Sequence, residues 1–466
     1  MPGATTQLAF SSSQDEWLHG KKSFFYPRTV RYLNYAAESI LVTPNGCAGF
    51  NQRTRFEIPI HGEYIKGGYI EILLAALDAP ADGTPSGYVY HVQWIHKLGI
   101  YILEKLEFEV NGTIHDEHEA EWVDMWTRLT CPESKRKGFN DLIGEVNLYN
   151  RYGNGNSAYV GQIDTRSPQV GKSTQPQLRM MIPLHFWWCQ TLSQALPIGS
   201  MIFCKSVINV FLRRASDLYI VWESPSAGFA AATDIARSTT DVPTTPTVTS
   251  MNIYLDYVFL TKRGRNLFNK SKKIYVIRHV KNKRIASVTT SPYTHELNQV
   301  MPQVAIYWGI RETAATAHKN YHIWDRYTDN QGSPNTAATL YNLPDTVISR
   351  AKITLLSENR ITERDAMYFN RIQPYVHHTT IPETKGIYMY SFAEYPEEFS
   401  MPSGDCNMSS ADHSSIVLTM NQTDGVNGTG SQGIGLSSQT GTLYVYGLAY
   451  NYFFIKAGYG ALIFNA

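Results

Sequence analysis

Between positions 115 and 119 the chain reads His-Asp-Glu-His-Glu, two imidazoles and three carboxylates in a span whose chemistry suits a divalent metal. The zincin pattern is His-Glu-x-x-His, but four residues beyond His118 stands Trp122. On an extended backbone His115 and His118 point to opposite faces; on a helix they meet, yet a third ligand is missing. The reading that follows is a solvated strand-to-helix junction.

Two other stretches raise the same question. In RSPQVGKST, Gly171, Lys172 and Ser173 match the end of a phosphate-binding loop, but Arg166 stands where its first glycine belongs, and Pro168 and Pro176 flank the site. It is read as a loop. QPYVHHTTIP, from Gln373, brings His377 and His378 together, with carboxylates and Cys406 further along. An extended backbone, bracketed by Pro374 and Pro382, sends the two histidines to opposite sides, so the stretch is read as scaffold. The chain has no Gly-x-Ser-x-Gly elbow and no His-x-His pair with a spaced glutamate, so hydrolase and cupin chemistry lack their markers. The basic run from Lys262 to Arg284 is read as a solvated connector and strand.

Whole-chain properties narrow the classes further. With 41 basic and 40 acidic residues there is no net field to hold a polyanion, so direct sequence-specific nucleic-acid binding is not expected. Cys47, Cys131, Cys189, Cys204 and Cys406 are odd in number and widely spaced, unlike a disulfide framework or a zinc ribbon. The start lacks the features of a secretory leader and no apolar run is long enough to span a bilayer, which predicts a soluble protein made in the cytosol. The tripeptides at Asn111, Asn269, Asn407, Asn421 and Asn427 fit the N-glycan pattern, but without secretory entry they are read as surface polar clusters. No cofactor is expected.

The elements that position these residues are mainly strands. The chain holds 30 tyrosines, 22 prolines and 33 glycines, a balance that favours strands and punctuated loops. In KLEFEVNGTIHDE, Leu106, Phe108 and Val110 alternate with glutamates, and Asn111 with Gly112 supplies the two positive-φ residues of a type I′ hairpin. In NIYLDYVFL, Ile253, Leu255, Tyr257 and Phe259 share one face. One helix stands out: Trp122, Trp126 and Leu129 fall at i, i+4 and i+7, predicting packing residues on a short helix over a sandwich edge.

Strand, long polar loop, strand recurs at the end of each half, through 224–250 in the first and 421–441 in the second, which predicts two similar β-domains in tandem with both loops exposed.

Several segments, in order over almost the whole chain, together resemble the major capsid proteins of nucleocytoplasmic large DNA viruses, the group of iridoviruses, phycodnaviruses and marseilleviruses. QDEWLHG with FFYPRTVRYLNYAAES resembles the family's N-terminal stretch, and the segment from LEFEVNGTIHDE through KRKGFNDLIGEV its strand, helix and loop. IPLHFWWCQTLSQALPIGSM, which contains Trp187 and Trp188, YLDYVFLTKRGRNLF, YFNRIQPYVHHTTIP and YSFAEYPEEFSMPSGDCNMS are similar to further family signatures. The segment between Gly20 and Phe24 is shorter than usual, the connector has Lys262 and Arg263 where acidic residues are common, and Ser410 stands where arginine is frequent.

The resemblance implies an all-β fold of two tandem eight-stranded antiparallel jelly rolls, with a few short helices and long exposed loops. The expected division is an N-terminal arm at 1–26 for inner-face contacts, a first roll at 27–260, a connector at 261–272 and a second roll at 273–466. It further implies no catalysis, a homotrimeric pseudo-hexagonal capsomer that tiles an icosahedral shell, and a place in the virion after assembly in the host cytoplasm. The implied partners are further copies of the chain, minor capsid and penton proteins, and an internal viral membrane reached through inner-face proteins. The rival expectation is a jelly-roll carbohydrate-binding protein or a metal-dependent sugar enzyme, for which the cluster from His115 to Glu119 is the best support.

Overall fold

The computed structural model describes residues 35–78, 88–145, 174–175, 177–225, 246–269, 273–288, 291–297, 301–317, 319–325, 346–356, 358–399, 401–410, 413–421 and 441–464. The arm at 1–26, the phosphate-loop-like stretch 166–173, Asn427 and the middles of both long loops lie outside the described residues.

Eight strands of the first half form two antiparallel sheets. They are β1 (Tyr35–Val42), β2 (Arg53–Glu57), β3 (Tyr64–Leu74), β4 (Leu103–Val110), β5 (Thr113–Glu119), β6 (Leu178–Pro183), β7 (Ser206–Leu212) and β8 (Val248–Leu260). The sheets run β1-β8-β3-β6 and β2-β7-β4-β5, so the chain passes back and forth between them, as in a jelly roll. The second half repeats the plan with β9 (Lys273–Val288), β10 (Tyr293–Glu296), β11 (Pro302–Glu312), β12 (Ile348–Leu355), β13 (Glu358–Asp365), β14 (Ile387–Ser391), β15 (Ser415–Met420) and β16 (Gly441–Lys456). Its sheets run β9-β16-β11-β14 and β10-β15-β12-β13, the first order with eight added to every label. Short strands at Cys406–Asn407 and Tyr459–Leu462 extend the first of these sheets, and a ribbon of Tyr88–Trp94 with Tyr219–Pro225 extends the first half.

The alternation read from sequence is visible in the burial. Ile253, Leu255 and Tyr257 of β8 are buried while Tyr254 and Asp256 are half-buried. At the β4–β5 turn Asn111 and Gly112 have φ of 50° and 85°, both in the left-handed region that a type I′ turn demands. The alternating Glu107 and Glu109 are covered as well: Asn209 donates to both carboxylates, and Arg53 pairs with Glu109 at 3.0 Å.

Helical segments are more numerous than the few expected. Besides α1 (Ala120–Thr130), α2 (Glu133–Leu142) follows at once, and the connector contains α3 (Lys262–Asn269). The segment 366–377 is a continuous helical rod, with a π-helical stretch Tyr368–Ile372 leading into α4 (Gln373–His377). This corrects the extended reading of QPYVHHTTIP. Pro374 follows directly on the π-helical stretch, at the point where the rod passes into α-helical geometry. Only at His378, with φ −123° and ψ 159°, does the backbone become extended.

One apolar core fills the first half and continues through the sheet β9-β16-β11-β14 of the second, while a smaller core lies wholly inside the second half. The two halves are therefore joined by a packed seam.

Candidate functional site: the seam between the two halves

Helix α1 belongs to the first half by sequence, and its apolar stripe faces the second. Trp122 and Trp126 stack on one another with ring centroids 5.4 Å apart. Trp122 meets Tyr307 of β11 edge-on at 5.3 Å and Tyr446 of β16 at 5.6 Å, while Trp126 reaches His378 and Phe399. Leu129 is fully buried, and its carbonyl accepts from the amide of Thr380 at 2.9 Å. The helix thus lies in the seam rather than over a sandwich edge. Trp187 continues this surface against Phe453 at 5.3 Å, whereas Trp188 turns into the first half beside Phe108 and Phe186.

The polar flank of α1 carries charges that sequence reading left unassigned. Asp124 is fully buried and accepts from Lys97 Nζ at 2.5 Å, Tyr101 Oη at 2.9 Å, Arg128 Nε at 3.0 Å and Trp324 Nε1 at 2.8 Å. Burial alone would raise its pKa, but Arg128 and Lys97 hold the carboxyl far below the usual range. Arg128 also donates to the carbonyl of His322 at 2.7 Å, so a helix of the first half grips a loop of the second.

Arg311 of β11 comes from the other side. It pairs with Glu121 at 3.0 Å, donates to Tyr101 Oη at 3.2 Å, and lies over the Trp324 ring at 4.3 Å from its centroid. Glu121 is shared with Arg213 at 3.4 Å. Gly386 completes the fit, because a Cβ there would fall 1.8 Å from the Trp324 carbonyl oxygen. The signal for this network was present in part: Asp124 and Arg128 sit at i, i+4 beside the tryptophan stripe. Lys97 and Tyr101 lie 27 and 23 residues from Asp124, but the second-half partners, Trp324 of Asp124 and His322 of Arg128, are 200 and 194 residues away, beyond any local pattern.

The cluster from His115 is buried, not solvated. His115, Asp116 and His118 are each less than 5% exposed. His115 lies edge-on to Phe108 and to Phe453 of the second half, while His118 stacks on Phe186 and approaches Asp116 at 3.3 Å. The other Asp116 oxygen accepts from the Trp187 amide at 3.2 Å. The imidazoles diverge onto different aromatic partners and do not converge on a common point. Among the described residues no group of three or more His, Cys, Asp or Glu is placed to hold a metal, and the observation that favoured a metal-dependent sugar enzyme is absorbed by packing.

A pH dependence follows. Burial lowers the pKa of His115 to about 4, against Asp116, which raises it, and His279, which lowers it further; His185 is lowered to about 4 by burial and by His118. The unfolded chain takes up these protons near pH 6.5 and the folded chain only near 4, so stability is full above pH 6.5 and falls as pH drops towards 4. Each histidine contributes a slope of about 1.4 kcal/mol per pH unit in that window. Urea midpoints measured between pH 7 and 4.5 should fall less steeply in His115→Gln than in the wild type; parallel curves would contradict this.

The sequons are occupied by other bonds where they can be described. The Asn111 amide donates to Cys204 Sγ at 3.3 Å, and that of Asn421 donates to the Thr346 carbonyl at 2.7 Å. Asn407 accepts from the Ser409 amide at 3.1 Å, and Asn269 lies in α3. All five cysteines are free thiols, and among the described residues no helix is long and apolar enough to cross a membrane.

Known proteins share this plan. Residues 23–261 match the family model for the major capsid protein N-terminus, and residues 264–461 match that for the large eukaryotic DNA virus major capsid protein. The major capsid protein of Paramecium bursaria Chlorella virus 1 is 26% identical over 494 residues and that of Phaeocystis pouchetii virus 24% over 545, each covering 100% of both chains. Among solved structures, the Faustovirus major capsid protein superposes with a TM-score of 0.71 at 17% identity, covering 97% of this chain and 96% of that one. A quasi-atomic model of the PBCV-1 capsid gives 0.68 at 23% identity, covering 95% and 100%.

Proposed function

The chain belongs to the major capsid protein family of large eukaryotic DNA viruses, and from that premise we propose that it acts as a homotrimer forming a pseudo-hexagonal capsomer of an icosahedral shell. Its role is structural. The observation that carries the finer reading is the identical strand order of the two halves, which gives each chain two similar wedges side by side. Three chains around a threefold then supply six wedges, through a heterologous contact in which one chain's first half meets the next chain's second.

The same reading treats each half as a closed eight-stranded roll. It divides the chain into an arm at 1–26, rolls at 27–260 and 273–466, and a connector at 261–272 that contains α3. It assigns the assembled protein to the virion shell, with assembly in the host cytoplasm. Its partners are neighbouring capsomers, minor capsid and penton proteins, and an inner membrane reached through inner-face proteins, without sequence-specific contact to nucleic acid. The near balance of 41 basic and 40 acidic residues supports that last point.

Size-exclusion chromatography with light scattering tests the oligomer. The expected mass is three times the 52.7 kDa of the chain at micromolar concentration. A strict monomer at that concentration would count decisively against the capsomer.

A further inference from the structure

We propose that the outward face of the helical rod 366–377, together with residues 394–399 and 401–403 beside it, is a docking surface for a second copy of this chain within the trimer. This rests on the capsomer reading and deepens it, because it names where on the second half the neighbouring copy sits.

Both faces of the rod carry apolar side chains, with Ala366 and Phe369 buried in the core of the second half. Its inward face is held partly by polar groups: Gln373 accepts from the Ser391 amide at 3.1 Å and Asn370 donates to the Lys385 carbonyl at 2.7 Å. Its outward face is apolar, with Met367, Ile372, Tyr375 and Val376 all exposed, Tyr375 to 76%. Tyr395 and Met401 on the neighbouring loop are exposed as well, Met401 to 71%.

The loop stands beside the rod because polar contacts pin it there. His377 bonds the Glu394 carbonyl at 3.0 Å and His378 bonds Glu397 at 2.5 Å. Arg278 donates to the carbonyls of Pro396, Glu398 and Met401 from beneath. Tyr395 and Ser403 close the loop on themselves, the Tyr395 amide donating to Ser403 Oγ at 3.0 Å. The bonds fix the platform before any partner arrives, so little conformational entropy remains to be lost on docking.

Size identifies the occupant. At ~150–200 Å² for a large side chain, the exposed parts of these six residues amount to about 600–700 Å² of surface. The largest apolar patch of a typical monomer is about 300–600 Å², and one side of a standard protein interface buries about 800 Å². A patch of this area with two tyrosines and two methionines matches the composition of an interface core. In a shell protein that must contact its own copies, a second copy is the partner always present at stoichiometric concentration.

The test compares the wild type with Tyr375→Ser/Val376→Ser and, independently, Tyr395→Ser/Met401→Ser, each read by light scattering over a concentration series and by thermal unfolding. The expected result is a shift from trimer to monomer, with the concentration of half-dissociation raised about tenfold or more, as for loss of a hot-spot residue. The monomeric variants should still unfold in one cooperative transition, at a lower midpoint than the trimer because the linkage to assembly is lost. Because the second pair lies off the rod, it decides the matter if the first fails to fold. Trimers of wild-type strength in a folded variant of either pair overturn the assignment while leaving the capsomer intact; a monomeric wild type overturns the capsomer itself.

Discussion

Replacing Asp124 by alanine should lower the stability of the chain by about 3–5 kcal/mol, the range found when one member of a buried charge pair is removed. The carboxylate is the common acceptor for Lys97, Tyr101, Arg128 and Trp324. Without it two cations are left facing one another in a buried site. Lys97 has its pKa lowered by burial and by Arg128, with Asp124 opposing, so removing Asp124 should drive Lys97 towards its neutral form. Asp124→Asn keeps the shape and loses the charge, and should fall between the wild type and alanine. Urea unfolding of all three proteins measures the series; an alanine variant within 1 kcal/mol of the wild type, of the order of a surface pair, would show that the network is not under the load assigned to it.

Trp122→Ala should cost a similar amount, about 3–5 kcal/mol, by removing a large buried side chain from the seam. What distinguishes it from an ordinary core deletion is where the loss falls. Trp122 touches Trp126 within its own helix and Tyr307 and Tyr446 across the seam. A double-mutant cycle of Trp122→Ala with Tyr446→Leu should therefore show coupling of about 0.5–1.5 kcal/mol, the value of an aromatic pair beyond its buried area. Additive losses would mean that the two rings share a cavity without interacting. Limited proteolysis supplies a second readout, since a loosened seam should raise cleavage in the connector relative to the strands.

The strands were legible because half-buried sheets write themselves in alternation. Ile253, Leu255 and Tyr257 show it directly, and the Asn111–Gly112 turn is legible because few residue pairs tolerate two positive φ values. The helix of 366–377 was not legible. Its buried face includes Asn370 and Gln373 beside Ala366 and Phe369, so its apolar period is broken, and Pro374 within it argues for a break. The cluster at His115 was misjudged for a related reason. Local composition reports polarity, but the rings that cover it, Phe186 and Phe453, arrive from 68 and 338 positions away. The seam as a whole was invisible to sequence except through α1, whose tryptophan stripe announced a partner without saying which.

In the ring of three chains proposed above, the seam would have a mechanical meaning. Each chain contributes one joint that is covalently bridged and closed by Trp122, Trp126, Asp124 and Arg311, and one joint that exists only on assembly. Six wedges therefore alternate between welded and bolted edges, and the sixfold outline hides a threefold pattern of strength. Under internal pressure such a plate would open along three lines, and its fragments would be whole chains rather than single wedges.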